Sequence, residues 1–567
     1  MRYILLTIAA VLFFFPDVFA QTNSPQQGKK TPLPRLKLRE YTITGLAKVV
    51  LPVKERRAAP VKLSLRWLEN PATNGGKAPT AKLKFHRPRP FTGAGSRIPT
   101  MRLRGFFGSF RTGGFRFDAR TGIQKTMPYV SLGYRQSDGH VPFDQAEYRR
   151  FFVEGGIQQA LNGGGRINIR TRYHRDRQHL WGVFYPLFLN RQTLTKKWEG
   201  ALEFQKPLAD HFSLKLSGNL RFNDHLNFFS YNQDRFLIRG RLQYGPGGSG
   251  LELSGGYERV NTERKELTLR PPLLFSIPLG PLWRTELSLV DARFRGRWRY
   301  GPAAFALGVT GQSLETLNTA AGVQKVYPFA ELSLGDRSRF FLSIRYDPET
   351  KILPLGDFLS AVPYADLETY TFTRYRQRAT ASLGAAFPGN LRLFVESSYA
   401  KAKSFPVPVP LIGFPGREWD YVAVGEARFW QNSIRLDARP SKKIFITGWL
   451  ILQSTEVTQA GDTFLFLPGK DLPYRPTVSA SGEAGWQLIP ALRAKIGVQY
   501  VGDRYNGVNE RERVDSYFLL SAEIRLTLAR NISLVVYGKN LLDENYQEYF
   551  GLKMPGVRGG GSLELGF

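Results

Sequence analysis

The 567-residue chain contains no cysteine, which excludes a disulfide framework, a thiol nucleophile and a thiolate metal site. It lacks any apolar run long enough for a membrane-spanning helix, which needs about 20 consecutive apolar residues; the stretch at residues 3–15 is too short. Negative charge is sparse, with 47 Asp and Glu against 79 Lys and Arg, a formal net charge of +32. Histidine is sparse as well, and His86, His140, His174, His179, His211 and His225 show no HExxH or comparable metal spacing. Each reads better as a loop or interior residue than as a ligand, so no metal and no cofactor is expected. The glycines at 163–165 and 559–561 are followed by no lysine and no helix, so turns or close strand approach explain them better than a phosphate cradle. Neither a serine-centred elbow nor a carboxylate pair stands out. No catalytic residue is assigned, and the chain is not expected to be an enzyme.

What is present begins with Arg2, the apolar run, the helix breaker Pro16 and the small-residue ending Val18-Phe19-Ala20. That order predicts a signal peptide over residues 1–20, cleaved before Gln21. With no helix able to span, a membrane position requires strands closed into a barrel. The 56 Gly, 41 Phe, 25 Tyr and 9 Trp, with a mean hydropathy of only −0.28, suit a wall with one apolar and one polar face. Residues 21–100 are rich in Pro and Lys and read as a separate N-terminal extension, largely poorly ordered. One or two strands are predicted within 36–53 (LKLREYTITGLAKVVLPV).

From 101 to 567 apolar and polar side chains alternate with period two, the mark of a strand between two solvents. Phe518, Ala522 and Ile524 oppose Ser521, Glu523 and Arg525; Leu492, Ile496 and Val498 oppose Arg493, Lys495 and Gln499. Short and long connections alternate, as periplasmic turns and external loops do. The fold expected is therefore all-β, a transmembrane antiparallel β-barrel of about 22 strands with a short N-terminal extension. The terminal stripe Leu563, Leu565 and Phe567 reads as the last strand's signal to the barrel-assembly machinery.

The polar face carries rows of arginine: Arg293, Arg295, Arg297 and Arg299; Arg235, Arg239 and Arg241; Arg166, Arg170 and Arg172; Arg374, Arg376 and Arg378. Arginine at a lipid-facing midplane position costs about 2–4 kcal/mol, so these rows are predicted to face the lumen. Glutamates at equivalent positions (Glu154, Glu203, Glu252, Glu331, Glu396, Glu483, Glu523) should take part of this charge into cross-strand pairs. The surplus favours small anionic solutes. A pI near 10.2 also suits nucleic-acid binding, but charges set in alternating strands behind a signal peptide speak against it, and no nucleic acid is expected. Trp181, Phe184, Tyr185 and Phe188 in one predicted loop, and Leu273, Leu274, Phe275 and Ile277 in another, offer an external binding surface or pack on one another over the mouth.

The stretch YGKNLLDENYQEYFGLKMPG (537–556), preceded by LPYRPTVSASGEAGW (472–486) and VQYVGDRYN (498–506), resembles the end of a TonB-dependent receptor barrel. The NL-x-D-x-x-Y element, the x-M-P-G element and the terminal aromatic fall in family order. Upstream, MRLRGFFGSF (101–110) is similar to the first strand of plugless relatives. Two departures stand out. Val557, Arg558 and three glycines replace the family's usual aromatic after Pro-Gly, and residues 21–100 are too few for the family's plug. The segment REYTITG (39–45) is similar to the family's energy-coupling box, and equally reads as a short strand or tether. The resemblance implies a channel or receptor for solutes in the outer membrane of a Gram-negative bacterium, in contact with outer-membrane lipid and lipopolysaccharide. The alternative it implies is a TonB-coupled receptor whose plug is reduced or separate, with an energy-coupling protein as partner.

Overall fold

Two-faced strands bury a polar inner wall only when the sheet closes, and here it does. A computed structural model describes residues 100–122, 125–139, 147–179, 192–226, 230–245, 249–265, 283–316, 323–336, 339–353, 355, 372–388, 390–410, 419–460, 467–505, 513–548 and 554–567. Each strand pairs antiparallel with its sequence neighbours, and the first, Thr100–Gly108, pairs with the last, Arg558–Gly566, from Arg102↔Gly566 to Gly108↔Gly560. No edge is left, as a bilayer without hydrogen-bonding solvent demands. The sheet has 23 strands. Short Glu349–Ile352 continues the line of Phe340–Tyr346 along the same neighbour, Phe372–Phe387, so the barrel has 22 staves and both ends lie on the short-turn side.

The outer wall is apolar. Ile496 and Ile524 are 55% and 51% exposed, on the faces that alternation marks as outward. Leu563 and Phe567 also face out and are exposed. Every connection at one end of the barrel is short, and the long ones all lie at the other, where 109–111 and 227–229 are the short exceptions; this assigns the uniformly short-turn end to the periplasm.

The seam between first and last strands explains the departure at 559–561. A Cβ at Gly560 would stand 2.5 Å from the Phe107 carbonyl oxygen and 2.7 Å from the Tyr537 hydroxyl, so the close approach there requires glycine. Ser109 Oγ donates to the Gly559 carbonyl (3.0 Å) and accepts from the Gly559 N–H (2.9 Å). On the inner side Glu564 joins Arg104 to Arg525, the latter at 2.8 Å.

The chain that follows Phe340–Tyr346 is tied to the inner wall. The Thr350 N–H donates to Gln312 Oε1 (2.6 Å), Gln312 Nε2 donates back to the Thr350 carbonyl (3.3 Å), and the Thr350 and Tyr327 hydroxyls are 2.9 Å apart. Farther on, the Leu355 N–H donates to Gln233 Oε1 (3.1 Å). Gln233, Gln312 and Tyr327 belong to the inward-facing sets of their strands, so residues 347–353 and Leu355 are held against the inner wall as a strap. At the same end, Tyr375, Phe405, Val407, Val424, Phe429, Val457 and Leu472 form a buried apolar cluster, which stiffens the long hairpin Leu391–Pro410 and Trp419–Ala438.

The chain divides into two units, Met1–Lys54 and Glu55–Phe567, and every described residue lies in the second. The signal peptide, nearly all of the 21–100 extension and the REYTITG segment lie outside the described residues, as do Trp181, Phe184, Tyr185 and Phe188 and the cluster at 273–277.

Candidate functional site: the basic lumen

The inner wall encloses a cavity of about 4360 Å³. Among the described residues, 25 arginines and lysines line it against 14 aspartates and glutamates, an excess of 11 positive charges. Strand alternation puts them there: once Arg293 faces inward, Arg295 and Arg297 must follow, while Phe294 and Trp298 meet lipid at 48% and 45% exposure. Of the arginines singled out from the sequence, Arg170, Arg172, Arg235, Arg239, Arg241, Arg293, Arg295, Arg297 and Arg378 line the cavity. Arg166 and Arg299 share the inward face at the short-turn end, beyond the cavity's lining. Arg166 donates to Gln205 Oε1 at 2.8 Å.

Arg374 and Arg376 depart from the expectation. A bulge between Tyr375 and Gln377 shifts the alternation, so that buried Tyr375, opposite Ala402, takes the inner face with Arg378. Arg376 instead donates to Glu426 at 3.1 Å on the outer face, and Arg374 stands opposite Lys403. An unbroken period of two cannot foresee a bulge.

Two kinds of arginine occupy the lumen. Toward the external end they are paired. Glu349 accepts from Arg378, from Lys351 at 3.1 Å, and lies 3.7 Å from Arg293. Arg293 also holds Asp291 at 3.1 Å. Arg295 reaches Asp347 at 3.5 Å, and its guanidinium sits 3.7 Å from the Phe329 ring centroid. This knot anchors the strap. Below it, Arg345–Glu331 (3.0 Å), Arg235–Glu258 (2.6 Å) and Arg172–Glu154 are cross-strand pairs of the expected kind.

Toward the short-turn end some cations are paired, Arg241 with Glu252 at 3.5 Å, Arg435 with Asp437 at 2.8 Å, Lys495 with Glu483 at 2.9 Å and Arg525 with Glu564 at 2.8 Å, and others are not. Arg170, Arg239, Arg297, Arg392 and Arg493 line the cavity within a few residues of the periplasmic turns. Arg439, Lys442 and Lys443 add charge from one turn. None of these eight has a carboxylate within ion-pair distance among the described residues. The sequence reading missed Asp291, Asp347 and Glu349 as organising acids, and Gln233, Gln312 and Tyr327 as anchors of the strap. The strap's anchoring hydrogen bonds join residues 23 to 122 positions apart, a separation that carries no periodic signal.

No family model matches the chain, and no curated protein matches it. Solved structures do. The siderophore receptor PiuA of Acinetobacter baumannii aligns with a TM-score of 0.64 at 13% identity, over 84% of this chain and 82% of that one. The copper transporter OprC aligns at 0.64 and 11%, over 83% and 80%. The FrpB iron transporter of Neisseria meningitidis aligns at 0.65 and 8%, over 84% and 82%. At these identities the likeness is one of fold. A closed wall of 22 staves with an apolar exterior and an arginine-rich interior, superposable on such proteins over most of its length, makes the chain an outer-membrane β-barrel with the fold of the TonB-dependent receptors.

Proposed function

We propose that the barrel carries solutes across the outer membrane and that its lumen favours anionic ones. The observation that carries this reading is the surplus of positive charge on the inner wall, 25 arginines and lysines against 14 aspartates and glutamates among the described lining residues, with Arg170, Arg239 and Arg297 near the periplasmic turns outside any ion pair among them. Low-dielectric walls focus such a field, concentrating anions and repelling cations. In this reading Arg170, Arg239, Arg297 and their neighbours act as a selectivity ring, and the outward stripe Leu563, Leu565 and Phe567 serves recognition by the assembly machinery. The named neighbours, a siderophore receptor, a copper transporter and an iron transporter, support transport as the activity and give no support to catalysis.

The experiment is swelling of proteoliposomes in gluconate, glucose and glucosamine, three solutes of similar size and different charge. Gluconate entering fastest and glucosamine slowest at low salt is the expected order; the reverse order contradicts the reading. A TonB-coupled receptor with a reduced or separate plug is the second reading, favoured by residues 39–45. Capture of an energy-coupling protein by the full chain, abolished by deleting that segment, would establish it in place of passive flow.

A further inference from the structure

Charged residues also occur on the outer wall, near its external end. In two places they neutralise one another: Arg259 meets Glu286 at 2.6 Å, and Arg376 and Lys401 share Glu426 at 3.1 and 2.8 Å beside the Arg428–Glu456 pair. In a third place they do not. Strands Tyr148–Ala160, Arg166–His179 and Gln192–Ala209 bring Arg149 opposite Arg177 and Arg175 opposite Lys196. Like charges placed directly opposite are destabilising, and the fold makes two such pairs side by side. Arg149 has only Glu147, at 4.0 Å; Lys196 stands opposite Asp224 on the next strand without reaching ion-pair distance, and Arg175 and Arg177 have no carboxylate within that distance among the described residues. Arg177 Nε is buried without a hydrogen-bond partner.

What lies beneath these cations identifies the ligand. Directly toward mid-barrel on the same face stand Phe151 with Tyr173, ring centroids 6.5 Å apart, and Trp198 with Phe222, 5.4 Å apart. Below them Ile157, Ile169 and Leu202 are 44–50% exposed. Apolar, then aromatic, then cationic is the order in which a barrel wall passes from acyl chains through the interface to headgroups. We propose that this patch binds the phosphorylated headgroup of an outer-leaflet glycolipid, with its acyl chains against Ile169 and Leu202. Arginine forks match phosphate oxygens in bidentate fashion, and a phosphate between Arg149, Arg175, Arg177 and Lys196 converts their mutual repulsion into attraction. A soluble anion would need no apolar wall below it, and a neutral lipid would leave the repulsion in place.

The test is native mass spectrometry of the detergent-solubilised full chain, titrated with bis-phosphorylated lipid A, with its dephosphorylated counterpart and with inorganic phosphate as competitor. Lipid A should bind at least about tenfold more tightly than the dephosphorylated form, the equivalent of one lost charge-assisted contact. The Arg149→Gln/Arg175→Gln/Lys196→Gln variant should lose that margin, and Arg428→Gln, on another part of the wall, should keep it. Equal binding of the two lipids, an unaltered margin in the triple variant, or displacement by phosphate at lipid-like concentrations would overturn the proposal. Should the triple variant not fold, comparison of the two lipids on the unaltered chain decides.

Discussion

Replacing Glu349 with Gln keeps the shape of one side chain and removes the carboxylate on which three cations converge. Arg378 and Glu349 are each only 5% exposed, and Lys351 and Arg293 lie at 3.1 and 3.7 Å from the same group. The nearest remaining acids are already engaged, Asp291 with Arg293 and Asp347 with Arg295. Taking one partner from a buried pair leaves uncompensated charge and costs about 3–5 kcal/mol. Glu456→Gln supplies the contrast: its pair with Arg428 is 36% and 48% exposed, and exposed pairs contribute about 0–1 kcal/mol. Equilibrium urea unfolding in lipid vesicles, followed by tryptophan fluorescence, would measure both. Destabilisation by Glu349→Gln that exceeds Glu456→Gln by at least about 2 kcal/mol is expected. Equal effects would refute the claim that a buried ionic knot holds the strap to the wall.

The double variant Arg239→Gln/Arg297→Gln removes two of the 11 surplus lumen charges, so anion preference should fall without inverting. The difference from the unaltered chain, read as zero-current potential, should shrink at about 1 M salt, where the screening length is about 3 Å. In the external connection before the last strand, burial pushes the Glu548 carboxyl up to about 7, opposed by Arg504 and Arg558. A carboxyl whose folded value is raised contributes stability that is fully present below its unfolded value of about 4.3 and is lost as pH rises through about 7. Thermal unfolding should therefore show a loss as pH rises from about 4 to about 7 that is absent in Glu548→Gln.

Much of the barrel was legible because lipid and water on opposite faces impose a strict period of two. Residues such as Ile496 and Ile524 declared the outer face, and Arg293, Arg295 and Arg297 the inner one. The count of about 22 strands followed from connection lengths, since short turns and long loops alternate. Legibility failed where alternation failed. The bulge beside Tyr375 turned Arg376 outward to Glu426, and no local residue pattern announces a bulge. The strap rests on Gln233, Gln312 and Tyr327, ordinary polar residues that closure of the sheet brings together. The glycines at 559–561 read as a departure from the family pattern, and their cause lies across the seam, in Phe107 and Tyr537. Arg149, Arg175, Arg177 and Lys196 passed unnoticed because their row forms across three strands rather than along one.

Positive charge exceeds negative charge on the inner wall, 25 arginines and lysines against 14 aspartates and glutamates among the described lining residues. The zero-current potential of the purified full chain in a planar bilayer under a potassium chloride gradient reads that excess. Its sign should report chloride as the more permeant ion, weakening as total salt rises. A sign that reports potassium as the more permeant ion would contradict it.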